Sequence, residues 1–138
     1  MIKIFSISKV FLTLSVLGVI CFSSIFPSCS VSTASLSDVK MCTSISGNEC
    51  GSDASTFHGD AQVIYCTATL KNAPEKTKVT FDWKHGGESL GKAEVETASG
   101  TVSSNFKPPA TLEPGKYSVT VKIAIDNSTP ITKEFTID

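Results

Sequence analysis

The chain has no arginine: all 12 of its basic residues are lysines, set against 13 acidic residues. Specific recognition of phosphates and base edges leans on the bidentate guanidinium fork. Its absence, with a mildly acidic balance, argues against a nucleic-acid partner. Histidine is equally sparse. Only His58 and His85 occur, neither in a zinc-type spacing, and there is no Cys-x-x-Cys pair. No motif implies a cofactor or a resident metal. No stretch carries the period of an amphipathic helix over a useful length, and there is no internal repeat or low-complexity tract. The most continuous apolar run, Val10 to Phe22, is about a dozen residues, short of the roughly 20 that span a bilayer.

What is there begins with that run. Lys3 and Lys9 precede it, Thr13, Ser15 and Gly18 interrupt it, and Ser-Ser-Ile-Phe-Pro-Ser-Cys follows it to Cys29, the pattern of an export signal. Two cleavage readings stand. Phe26-Pro27-Ser28-Cys29 resembles a bacterial lipobox, with Ser28 and Cys29 in place, a bulkier Phe26 and an atypical Pro27. Cys29 would then be the lipidated N-terminus and would anchor the protein on a membrane. Ser32-Thr33-Ala34 offers instead the small residues of ordinary signal cleavage and a soluble secreted product; an uncleaved anchor is the third option. Ser30 is not aspartate, which under the bacterial sorting rule implies the outer membrane. Removing 28 of 138 residues takes two lysines with it and leaves 110 residues, ten lysines against 13 acids and a net charge of −3. That length suits one small domain. The expected division is a signal over 1–28, a flexible Ser-rich tether over 29–37 and one domain over 38–138.

The remainder is rich in Thr, Ser and Val, a strand composition. Seven strands are expected: Asp38 to Ile45, Ala61 to Leu70, Thr77 to Lys84, Lys92 to Ala98, Thr101 to Phe106, Lys116 to Asp126 and Ile131 to Ile137. Ile64, Cys66, Ala68 and Leu70 share one face of the second, and Val79, Phe81 and Trp83 one face of the third. Tyr117, Val119, Val121, Ile123 and Ile125 make the most apolar face. Ser46 to His58 reads as a loop, and Asn72 to Lys76 and His85-Gly86-Gly87-Glu88 read as turns.

Short strands at this spacing predict an all-β, seven-stranded antiparallel sandwich of immunoglobulin-like topology. Cys66 faces inward on the second strand and Trp83 on the third, and Gly115-Lys116-Tyr117 opens the sixth like a tyrosine corner. Val119 stands where antibody domains carry the second inter-sheet cysteine, so apolar packing of Cys66, Trp83 and Val119 is expected instead of a bridge. Asn72-Ala73-Pro74, Thr77-Lys78-Val79, Trp83, Pro114-Gly115-Lys116-Tyr117 and Phe135 together resemble a group of immunoglobulin-like modules in bacterial envelope lipoproteins. The resemblance covers most of the mature chain, falls on turns and core, and brings no catalytic residues with it.

Five cysteines occur, and Cys21 leaves with the signal. If Cys29 is lipidated, Cys42, Cys50 and Cys66 remain. Cys42–Cys50, closing Thr-Ser-Ile-Ser-Gly-Asn-Glu, is the favoured bridge; Cys42–Cys66 and Cys50–Cys66 are alternatives, as is an unlipidated Cys29 with two bridges. An inward Cys66 is expected to be an inert buried thiol. Glu49, Asp53, His58 and Asp60 crowd one loop and raise a cation site as a minor possibility. Tyr65 faces outward, and Asn127-Ser128-Thr129 forms a glycosylation sequon that a bacterial protein would leave bare. The sequence therefore reads as a non-enzymatic envelope module with an envelope protein partner. The alternatives are a secreted protease inhibitor, using His85 to Glu88 and Lys107 to Pro114, and a metal-handling protein.

Overall fold

A computed structural model describes residues 33–125 and 128–138. The expected signal segment, Cys29 and Asn127 lie outside the described residues, and so do residues 30–32 of the expected tether.

The chain is all-β. Seven strands of seven to ten residues carry it: β1 (Ser35–Cys42), β5 (Ile64–Lys71), β6 (Thr77–His85), β7 (Glu88–Thr97), β8 (Gly100–Phe106), β9 (Gly115–Ile123) and β10 (Ile131–Ile137). Three two-residue strands lie between the first two of these: β2 (Ile45–Ser46), β3 (Glu49–Cys50) and β4 (Thr56–Phe57). A three-stranded sheet, in the order β1-β5-β8, faces a five-stranded sheet, in the order β4-β10-β9-β6-β7. This is a β-sandwich with immunoglobulin-like connectivity. It is not wholly antiparallel, because β4 pairs parallel to β10.

The period-two faces meet between the sheets. Ile64, Cys66, Ala68 and Leu70 of β5 pack with Val79, Phe81 and Trp83 of β6 and with Tyr117, Val119, Val121 and Ile123 of β9, all at most 3% exposed. Trp83 lies opposite Val119 in register. It stacks on Phe106 at 5.6 Å and meets Phe135 edge-on at 6.2 Å. The Tyr117 ring stacks on Phe135 at 5.5 Å, and its hydroxyl donates to the Glu113 carbonyl at 2.9 Å, the hydrogen bond of a tyrosine corner.

Several expectations shift. The last three residues of the expected tether are strand instead, because Ser35, Leu36 and Ser37 pair with Lys71, Leu70 and Thr69. Strand pairing and the packing of Leu36 outweigh a composition that suits flexible chain. A bulge between Ser37 and Lys40, with Asp38 at φ 50°, then restores the register that turns Met41 to the core. Ile125 falls beyond the end of β9 and is only half-buried. His85 is no free turn residue: it is the last residue of β6, paired with Glu88 across Gly86 and Gly87. These glycines have φ 58° and 90°, the left-handed pair a two-residue hairpin needs. The imidazole lies flat on Tyr117, 4.0 Å centre to centre.

Trp83→Ala is expected to cost about 3–5 kcal/mol in urea unfolding, and Tyr117→Phe, which removes only the corner hydrogen bond, about 1 kcal/mol.

Candidate functional site

The segment between β1 and β5 must leave one sheet and join the other, and three devices hold it. The first is the Cys42–Cys50 disulfide, with Cα atoms 5.8 Å apart. It closes the β2–β3 hairpin, whose turn residues Gly47 and Asn48 both have positive φ, 59° and 74°. The hairpin folds over the outer face of the three-stranded sheet. Thr67 points outward from β5 yet is only 1% exposed, and its hydroxyl accepts from the Cys50 amide at 3.5 Å. Tyr65, opposite Cys42 in register, is half-buried rather than exposed.

The second device is Asp53. One carboxylate oxygen accepts from the Met41 amide at 2.9 Å, and the other takes the Lys133 ammonium. The Met41 carbonyl in turn accepts from the Ala54 amide at 2.8 Å. Loop residues thus engage both backbone groups of Met41 as a neighbouring strand would. Lys133 occupies an inward register position of β10 between Ile131 and Phe135, so the ion pair bridges the open side between the two sheets. Burial pushes the Asp53 carboxyl up, but the Lys133 and Met41 hydrogen bonds, with the charges of Lys133 and Lys40, outweigh it and hold the group below its ordinary value.

The third device is β4, which adds to β10 through Thr136 N–H to Ser55 C=O at 2.8 Å and Asp138 N–H to Phe57 C=O at 3.1 Å. The chain then turns at His58 to Ala61. Leu112 N–H reaches Gly59 C=O at 2.9 Å, and a Cβ on Gly59 would stand 2.7 Å from the Leu112 carbonyl oxygen, so only glycine lets the two loops meet this closely.

The result is a cleft of about 520 Å³ between the disulfide loop and β4. Thr43, Ser44 and Ser52 stand on one side, Thr56, His58 and Asp60 on the other, and Ala54, Phe57 and Ala61 add apolar surface. A hollow of about 210 Å³ adjoins it, between Gly59–Gln62 and Pro108–Thr111. The end of β1, the start of β9 and the end of β10 place both at one pole of the sandwich, together with the two loops Lys107 to Pro114 and His85 to Glu88. The start of β1, where the chain comes in from Thr33, is at the opposite pole.

The acidic residues raised above as a minor cation reading are dispersed. Glu49 pairs with Lys40 at 3.7 Å, Asp53 with Lys133, and His58 Nδ1 with Asp138 at 2.8 Å, while the Asp60 carboxylate stands exposed. Among the described residues no three His, Cys, Asp or Glu side chains are arranged to hold a metal ion. Neither histidine hydrogen-bonds a serine or cysteine among those residues. The Cys66 thiol is fully buried, and burial pushes its pKa up to about 12, far from a nucleophile's range. The sequence had flagged the acidic residues of this segment and missed the cleft. Its only signal was the run of small residues around the two cysteines.

Neither a protein-family model nor a curated protein matches this chain.

Iodoacetamide is expected to label Cys66 only after unfolding, and Cys42→Ala to destabilise by about 2 kcal/mol more than Cys66→Ala through loss of the cross-link; equal midpoints in urea would show that the bridge restricts little. The lowered Asp53 pKa contributes stability that is complete above the ordinary carboxylate range and lost as pH falls through it. Asp53→Asn should therefore flatten the dependence of melting temperature on pH between about pH 5 and pH 3, and Lys133→Met should reproduce most of that flattening.

Proposed function

We propose that this protein is a lipid-anchored, non-enzymatic module of the bacterial cell envelope, immunoglobulin-like in build, which holds its cleft-bearing pole toward an envelope protein partner. The observation that carries the reading is polar opposition: β1 leads from the pole where the N-terminal segment joins to the pole where the cleft lies. Eight residues at about 3.3 Å each separate the two by roughly 26 Å. The Cys42–Cys50 bridge supports an oxidising compartment. Acylated Cys29 would contribute about 0.8 kcal/mol for each buried CH₂, and Ser30 in place of aspartate directs the anchor to the outer membrane.

The start of β1 at Ser35 favours the lipobox over cleavage after Ala34. Cleavage at Cys29 leaves six residues before the strand, a reach of about 20 Å when extended, whereas cleavage after Ala34 leaves none. The released-inhibitor alternative draws on loops at the same pole, but the His85–Glu88 turn is tight and held against Tyr117 rather than projecting.

Intact mass of the protein from its native host is the test. The expected product begins at Cys29, carries acyl chains and yields one alkylated thiol when unfolded without reduction, and Cys29→Ser moves it from the detergent phase to the aqueous phase. A mass beginning at Ser35, in the aqueous phase, would overturn the anchor and raise the inhibitor reading.

A further inference from the structure

The edges of the five-stranded sheet are not treated alike. At one side β7 carries a bulge opposite Trp83 and Lys84, with Lys92, Glu94 and Glu96 along its length. At the other, no strand among the described residues covers Ile131 to Phe135 of β10, and the inward-pointing Lys133 stands there. Bulges and inward charges are the devices that stop an edge from recruiting another chain. β4 has neither. It is terminal in its sheet, and Ser55 and Phe57 direct their carbonyls to β10. By strand alternation the N–H and C=O of Thr56 point the other way, and no hydrogen bond is made to either among the described residues. Thr56 lines the cleft.

We infer that the cleft takes an extended, basic peptide segment of a partner protein, which adds to the free edge of β4 through the backbone of Thr56 and places a lysine or arginine against Asp60. Strand addition supplies affinity through main-chain hydrogen bonds and specificity through side-chain sites beside the edge. The cleft volume of about 520 Å³ lies within the usual range for ligand sites. Its walls are fixed before binding by the Cys42–Cys50 bridge and the Leu112–Gly59 hydrogen bond, which lowers the cost of association. Charge selects the sign of the segment. Lys40 and Lys133, flanking this region, are matched by Glu49 and Asp53, which leaves the Asp60 carboxylate on the cleft wall without an ion-pair partner among the described residues. A glycan fits less well, because Phe57 is only 5% exposed and offers no ring face for a sugar to stack on.

This inference rests on the partner-binding reading above, but its test is independent of acylation. The probe is a blocked peptide of alternating valine and lysine, about eight residues long, added to the full-length protein in detergent micelles, with the valine–glutamate repeat as control. Saturable binding of the lysine peptide alone is expected, with slowed hydrogen exchange at the Thr56 amide. Thr56→Pro removes an N–H the fold does not use and should weaken binding about tenfold or more, as should Asp60→Lys. Binding that leaves Thr56 exchange unchanged, equal binding of the glutamate repeat, or saturable binding of a chito-oligosaccharide in place of the peptide would overturn the inference. Because the exchange measurement uses the unmodified chain, a poorly folded Thr56→Pro variant would not spare it.

Discussion

The constraint on which this structure turns is that its first stretch of chain must serve two sheets. β1 completes the three-stranded sheet and β4 the five-stranded one, so the residues between them have to cross the open side of the sandwich. A crossing segment leaves backbone groups without strand partners, and buried groups of that kind are costly. The Asp53 carboxylate and the Ala54 amide answer for Met41, and the β2–β3 hairpin covers Thr67. The cleft is the space between the two ends of that crossing.

The forces that hold the crossing differ in size. The core is dominated by apolar burial, about 1.5–3 kcal/mol for each large side chain, summed over Phe81, Met41, Ile64, Leu70 and their neighbours. The disulfide closes a short loop and contributes about 2 kcal/mol. Partly exposed ion pairs such as Lys133–Asp53 contribute about 0–1 kcal/mol each. The sandwich therefore does not depend on the devices that shape the cleft. Weakening them should loosen the crossing segment first and leave the aromatic cluster of Trp83, Tyr117 and Phe135 in place.

That division explains what could be read from residues alone. β5, β6, β9 and β10 were legible because strict alternation bounded by turn residues fixes both the strand and its inward face, as in Ile64 to Leu70 and Tyr117 to Ile123. The tyrosine corner was legible because Tyr117 bonds a carbonyl only four residues upstream. The Cys42–Cys50 bridge was legible for the same reason, a short separation. What escaped was non-local. Asp53 meets Lys133 and His58 meets Asp138 across 80 residues, and those partners turned an apparent cation cluster into separate pairs. β4 exists only because β10 is beside it, and two residues carry no period. The start of β1 was hidden by a bulge, which breaks the alternation that would have marked Ser35 to Ser37 as strand.

The same separation of core from crossing bears on how the protein would work at a membrane. If Cys29 is lipidated as proposed, the five residues between it and Ser35 would limit the distance of the domain from the membrane without setting its orientation. Specificity must then come from the far pole, and a site there has to be rigid relative to the sandwich although it lies on loops. The cross-linked hairpin and the paired loops at Gly59 and Leu112 supply that rigidity. They do so where β4 leaves one sheet edge open, while Lys133 and the β7 bulge guard the others. In that proposed arrangement an anchor would raise the local concentration of the site, so a short strand edge with few hydrogen bonds would suffice for a partner held at the same membrane, where it would be too weak for one free in solution.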